Sequence, residues 1–138
     1  MTRAISKTLS RNDSGETGGH QAGILVPKRS SILDFFPELD RSTKNPRKEI
    51  YFVDHLGEVW RLVFIYYNNS FFGGTRNEYR LTWLTRYFNR YGMRTGDKLT
   101  LYRDDLDRYR IKHEYADREV ATSLVLGTSW EPVNVKFL

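Results

Sequence analysis

The strongest constraint on the fold is a run from Leu62 to Arg80 that begins as an apolar strand and leaves as a charged one. Leu62, Phe64 and Tyr66 alternate with Val63, Ile65 and Tyr67, turn formers follow at Asn68, Asn69, Gly73 and Gly74, and the exit carries Arg76, Glu78 and Arg80 at every second position. Alternation in extended chain sends those three charged side chains to one face and Thr75, Asn77 and Tyr79 to the other. Such a segment needs a sheet to hold it.

The surroundings supply one. Segments Arg3 to Leu9, Ile24 to Pro27, Glu49 to His55, Glu58 to Tyr67, Lys98 to Arg103, Arg108 to His113, Ala121 to Leu126 and Val133 to Phe137 read as short strands separated by turn residues. Two short helices are predicted. Ser30 or Ser31 caps SSILDFFPEL, whose length Pro37 limits, and Thr85 caps TRYFNRYGM, with Tyr87, Phe88 and Tyr91 packing inward and Arg86 and Arg90 on a neighbouring face. About seven or eight short strands with two short helices make a mainly β chain, and closure into a barrel-like sheet is the economical arrangement. At 138 residues the expectation is one domain, 1–138.

An Arg-x-Glu-x-Arg face matches the hydrogen-bonding edges of G·C pairs in the DNA major groove: Arg donates twice to guanine, and Glu accepts from cytosine N4. Four residues of strand cover about 13 Å, enough for about four base steps of 3.4 Å each. The same alternation of charge also suits a solvated hairpin edge that resists aggregation, and both readings stand on this segment alone. Net charge is +5, a mild pointer to a polyanion. Its distribution is more telling, because five arginines against one acid lie between Arg76 and Arg94.

A second stretch points the same way. RNDSGETGGHQAG, Arg11 to Gly23, has four glycines and no large apolar side chain, and it is far longer than a hairpin needs. It reads as a loop, a second arm. Gly18 and Gly19 permit close backbone approach to a phosphate, while a flexible loop with Asx turns is the plainer alternative. It lacks the lysine and following Ser or Thr of a nucleotide P-loop.

Other chemistry finds little support. Cysteine is absent, so disulfides and thiolate metal sites are excluded. His20, His55 and His113 have no partner nucleophile or ligand at a characteristic spacing, and Asp97-Lys98 has no evident acidic partner for a metal-dependent nuclease. No cofactor, metal or catalytic residue is therefore expected. Neither a signal peptide nor an 18-residue apolar run occurs, so a cytoplasmic protein without membrane contact is the expectation. A protein-interaction module, anchored by Phe71, Phe72 and Tyr79, and a non-specific nucleic-acid binder are the alternatives to sequence-specific DNA binding.

The two arms, NDSGETGGHQAG and YYNNSFFGGTRNEYRLT, resemble the DNA-gripping arms in the N-terminal effector domains of EcoRII-type restriction endonucleases. The stretch TWLTRYFNRYGMRTGDKLTLY also resembles the plant B-three transcription-factor domains, which share the DNA-binding pseudobarrel fold. The resemblance spans most of residues 5 to 105. It implies a target-recognition domain that grips double-stranded DNA from the major groove at a G·C-flanked site, CCWGG in the EcoRII type, without cleaving it; one asymmetric domain can bind such a pseudo-symmetric site, so a monomer is expected. Base-reading positions would be Arg76, Glu78, Arg80, His20 and Gln21, and backbone contacts would come from Arg11, Asn12, Ser14, Gly19, Thr75, Asn77, Arg86 and Arg90. Gly74 and Tyr79 depart from the family pattern, which has lysines there. The nuclease centre of such enzymes lies in a separate, covalently linked C-terminal domain, which would not fit before Leu138.

Overall fold

A computed structural model describes residues 2–15, 23–117 and 127–135. Their apolar alternation produces eight strands: β1 (Arg3–Thr8), β2 (Ile24–Val26), β3 (Arg47–Val53), β4 (Val59–Tyr67), β5 (Glu78–Thr82), β6 (Lys98–Arg103), β7 (Tyr109–Glu114) and β8 (Trp130–Val133). They form one sheet in the order β2-β5-β4-β3-β7-β6-β1-β8. All pairings are antiparallel except a short parallel contact, Phe52 and Val53 of β3 against Tyr109 and Arg110 of β7.

The sheet curls until its two edges meet, giving the barrel-like, mainly β architecture expected. Closure uses side chains. Trp130 on edge strand β8 is 2% exposed, and its indole N–H donates to the Leu25 carbonyl of the opposite edge strand at 2.9 Å. Arg29, just beyond β2, donates to the Trp130 carbonyl. These two bonds tie the edge strands to each other.

Large rings fill the interior. Phe36 stacks on Phe64 with centroids 4.4 Å apart, Phe64 on Tyr79 at 5.5 Å, and Tyr79 on Tyr66 at 4.1 Å. Tyr79 is 8% exposed, so the expectation that it is a surface anchor is corrected. Alternation along β5 explains it: Tyr79 and Leu81 point inward, the opposite side from Glu78 and Arg80.

The helices also differ from expectation. Among the described residues three short ones occur, α1 (Arg11–Ser14), α2 (Ser30–Leu33) and α3 (Thr85–Tyr91), together with a 3-10 turn at Asn69–Phe72. The foot of the first arm is thus a helical turn where a loop was predicted, because Ser10 and Asp13 form a reciprocal capping box. Helix α2 stops after one turn since Phe35 and Phe36 both enter the core, and Arg29 occupies its cap position instead of a serine. Leu84 precedes α3, so Thr85 is its first helical residue and not its cap. The last described strand is Trp130–Val133, earlier than predicted; the strand expected at Ala121 to Leu126 lies outside the described residues. No described helix is long and apolar enough to cross a membrane.

Candidate nucleic-acid interface

The second arm, residues 68–77, is held at its base by an asparagine. Asn68 is fully buried; its side-chain oxygen accepts from the Asn45 N–H at 2.7 Å, and its amide donates to the carbonyls of Thr43 at 2.9 Å and Arg41 at 3.3 Å. Next in the chain, Asn69 closes the loop on itself. Its side chain accepts from the Arg76 N–H at 2.6 Å, its carbonyl accepts from Gly74 N–H at 2.7 Å, and Ser70 N–H donates to the Arg76 carbonyl at 2.9 Å. A Cβ on Gly74 would come within 2.8 Å of the Asn69 side chain, so the departure from lysine at this position fits the way the loop is tied.

Out of this loop come the three charged residues, brought together as alternation predicts. Glu78 Oε1 accepts from Arg76 Nε at 3.0 Å and Nη2 at 2.8 Å, and Oε2 accepts from Arg80 Nη2 at 3.1 Å. Partial burial favours the neutral acid, but the hydrogen bonds from Arg76 and the charge and bond of Arg80 outweigh it and hold the Glu78 carboxyl below its ordinary range. The Arg76 guanidinium also lies over the Tyr67 ring, 3.7 Å from its centroid. Both ends of the Arg76 side chain are fixed.

Arg80 is more enclosed than a side chain reaching into a groove would be, at 7% exposed. Its Nη1 donates to the Gly23 carbonyl at 3.3 Å, which ties the second arm to the residue where the first arm joins β2. Only glycine fits there. Gly23 has φ +75° and a Cβ would fall 2.0 Å from the Leu81 carbonyl oxygen.

The first arm is anchored from three sides. Lys7, itself buried, donates to Asp13 at 2.6 Å and to the Thr128 carbonyl, while Asp13 also accepts from Ser10 N–H at 2.9 Å. The Gly-Asp turn supplies another anchor: Leu9 exchanges backbone hydrogen bonds with Gly96 and Asp97, both at 2.9 Å, and Ser14 Oγ meets Thr95 Oγ1 at 3.1 Å. Asp97 is fully buried and accepts from the N–H groups of Arg94 and Ala116, a structural role for the residue weighed as a nuclease acid.

Arg11 and Asn12 are exposed on this foot. Gly19, His20 and Gln21 lie outside the described residues. Beside the foot of the first arm lies an open groove of about 430 Å³, lined by Lys7, Asn12, Leu25, Arg29, Arg80 and Trp130. Thr75 and Asn77 are exposed, and Asn77 Oδ1 accepts from Lys28 at 2.7 Å and from Tyr66 at 2.6 Å.

The α3 arginines sit elsewhere. Arg90 is ion-paired with Glu58 at 3.0 Å, beside the start of β4, whereas the second arm leaves from the end of that nine-residue strand. At about 3.3 Å per residue the two are roughly 26 Å apart along β4. Arg86 and Arg90 thus lie toward the opposite end of β4 from the second arm, and Arg86 is exposed on the same short helix. Under α3, His113 Nδ1 and the Tyr87 hydroxyl lie 2.6 Å apart and the His55 ring is 5.4 Å from that of His113, an aromatic packing cluster. Burial, then His55, pushes the His113 pKa down. Among the described residues no three His, Cys, Asp or Glu side chains cluster as a metal site.

Sequence reasoning missed Lys7, Lys28, Tyr67 and Asn68. Only Asn68 left a signal, as an Asn at the exact end of an apolar strand.

The fold and both arm regions have counterparts. The chain matches the family described as "Restriction endonuclease EcoRII, N-terminal" over residues 2–104. It is 38% identical over 81 residues to the type II restriction enzyme EcoRII of Escherichia coli, covering 55% of this chain and 19% of that enzyme. The chain therefore corresponds to about a fifth of that relative's length. Among solved structures, the Arabidopsis FUS3–DNA complex superposes with a TM-score of 0.62 at 23% identity, covering 81% of this chain and 96% of the other, a likeness of fold.

Proposed function

The chain belongs to the EcoRII N-terminal family, and from that premise we propose that it binds duplex DNA sequence-specifically, gripping the major groove between its two arms at a G·C-flanked site, CCWGG. The observation that carries this reading is the Arg76–Glu78–Arg80 network at the exit of a tied loop.

Counting donors and acceptors shows what the network has left to offer. A guanidinium has five N–H donors and a carboxylate about four acceptor sites. Arg76 spends two donors on Glu78 and keeps three, enough for a bidentate contact to guanine O6 and N7. Glu78 spends three acceptor sites and keeps about one, which suits the single exposed N–H of a cytosine N4. Arg80, enclosed between Glu78 and Gly23, would hold Glu78 in place and complete the read at the inner edge. Such groups need no reordering on binding, which lowers the entropic cost of association.

Around this centre, His20 and Gln21 on the first arm would read bases from the opposite side. Arg11, Asn12, Ser14, Gly19, Thr75 and Asn77 would meet backbone phosphates, fixing register without specifying sequence. The chain would act as a monomer, and cutting would belong to a covalently linked catalytic domain, as the longer relative suggests.

Glu78→Ala tests the reading. Binding to duplexes with each G·C pair of the site replaced in turn should show discrimination at one cytosine reduced by about 1 to 3 kcal/mol, with neighbouring guanine discrimination also weakened because Arg76 loses its tether. Unchanged discrimination at every position would rule out Glu78 as a reader.

A further inference from the structure

The second arm carries two side chains that a purely polar reader would not need. Phe71 and Phe72, on the 3-10 turn Asn69–Phe72, are 68% and 44% exposed. They are held out by an ordered backbone: Phe71 N–H donates to the Asn68 carbonyl at 3.0 Å, and the Ser70–Arg76 and Gly74–Asn69 bonds close the loop on either side of them. An apolar knob is thereby fixed on the same loop as the charged readers.

Resting on the DNA-reading proposal above, we propose that Phe71 and Phe72 contact the C5 methyl group of a thymine, adding an A·T reading to the arm's G·C readers. The methyl is the largest apolar group that a base edge presents in the major groove, and a phenyl ring is one of its fitting partners. Position agrees with this. Ser70 is hydrogen-bonded to Arg76, so Phe71 and Phe72 leave the same tied loop as the Arg76 side chain. The rings would then meet a thymine in the same stretch of groove as the guanine held by Arg76. On one tied loop, Arg76 would recognise guanine, Glu78 cytosine and the phenyl pair thymine.

Replacing thymine by deoxyuridine removes the methyl and nothing else. In a fluorescence-anisotropy titration of the full chain, each thymine of the bound duplex is replaced in turn. Loss of one buried methyl should weaken binding about fourfold at a single thymine. Phe71→Ala and Phe72→Ala are measured on the same duplexes, with thermal midpoints as a folding check. Because both rings are exposed, the midpoints should stay unchanged, and at least one variant should bind thymine and deoxyuridine duplexes equally.

Wild-type binding that is indifferent to every methyl would overturn the contact and return the two rings to the docking of another protein. So would a penalty that both variants keep. If the chain does not prefer the intact site over a scrambled duplex at all, the DNA-reading proposal falls and takes this one with it; a retained preference without a methyl penalty sinks the methyl contact alone.

Discussion

Replacing Asn68 by alanine should unfasten the second arm at a measurable cost in stability. The side chain is fully buried and makes three hydrogen bonds, to Asn45 N–H, Thr43 O and Arg41 O. Each is worth roughly 0.5 to 1.5 kcal/mol net, and a partner left buried without a substitute adds to the loss. A total of about 3 kcal/mol follows. For a chain of this size, at about 2.1 cal/mol/K of unfolding entropy per residue, that lowers the thermal midpoint by roughly 10 °C. Asn68→Asp should do no better, because a carboxylate cannot donate to the two carbonyls and would face both. Asn69→Ala is the contrast: among the described residues its side chain bonds only the exposed Arg76 N–H, so the midpoint should move by about a third as much or less, while DNA affinity falls as the loop loosens. Differential scanning calorimetry of the three variants gives the comparison. An Asn68→Ala midpoint within about 3 °C of wild type, below 1 kcal/mol on the same conversion, would refute the view that this residue fastens the arm to the sheet.

Two further outcomes are expected. Asp54 is 6% exposed at the β3–β4 turn, and although burial alone would raise its pKa, donors from Tyr91, Trp60, Leu56 and Glu58 lower it from 3.8 to about 2. A depressed folded pKa gives stability that is complete above 3.8 and lost as pH falls toward 2. The gap corresponds to roughly 2 kcal/mol, or about 1 after screening at the turn. Urea midpoints between those pH values should fall for the wild type and fall less for Asp54→Asn; identical slopes would contradict the assignment. Arg90→Ala, which breaks an exposed pair with Glu58, should cost at most about 1 kcal/mol of stability and change affinity for any duplex by less than about twofold. A tenfold uniform loss would return Arg90 to a phosphate role.

The strands were legible because period-two alternation of large apolar residues is a strong signal, and so was the shared face of Arg76, Glu78 and Arg80, which follows from that same period. Interior and surface were harder to tell apart where an aromatic stood beside charges. Tyr79 looked like a surface anchor until the stacking of Tyr66 and Phe64 against it showed which side of β5 it faces. The Arg11–Ser14 turn was hidden because a capping box in a Gly-rich stretch resembles loop composition. Placement of α3 needed the tertiary fold: residue spacing puts Arg86 and Arg90 on one helix face but does not say which end of β4 that helix covers. Closure of the barrel by Trp130 and Leu25 joins residues 105 positions apart, a distance no local pattern spans.

Sequence-specific grip by the two arms can be decided by competition. A short duplex containing CCWGG competes at moderate salt with the same duplex scrambled, for binding to the whole chain. The specific duplex should win by about a hundredfold, roughly 2.7 kcal/mol, with both affinities falling steeply as salt rises. Equal competition by the two duplexes would contradict it, since arms that read bases cannot be indifferent to their order.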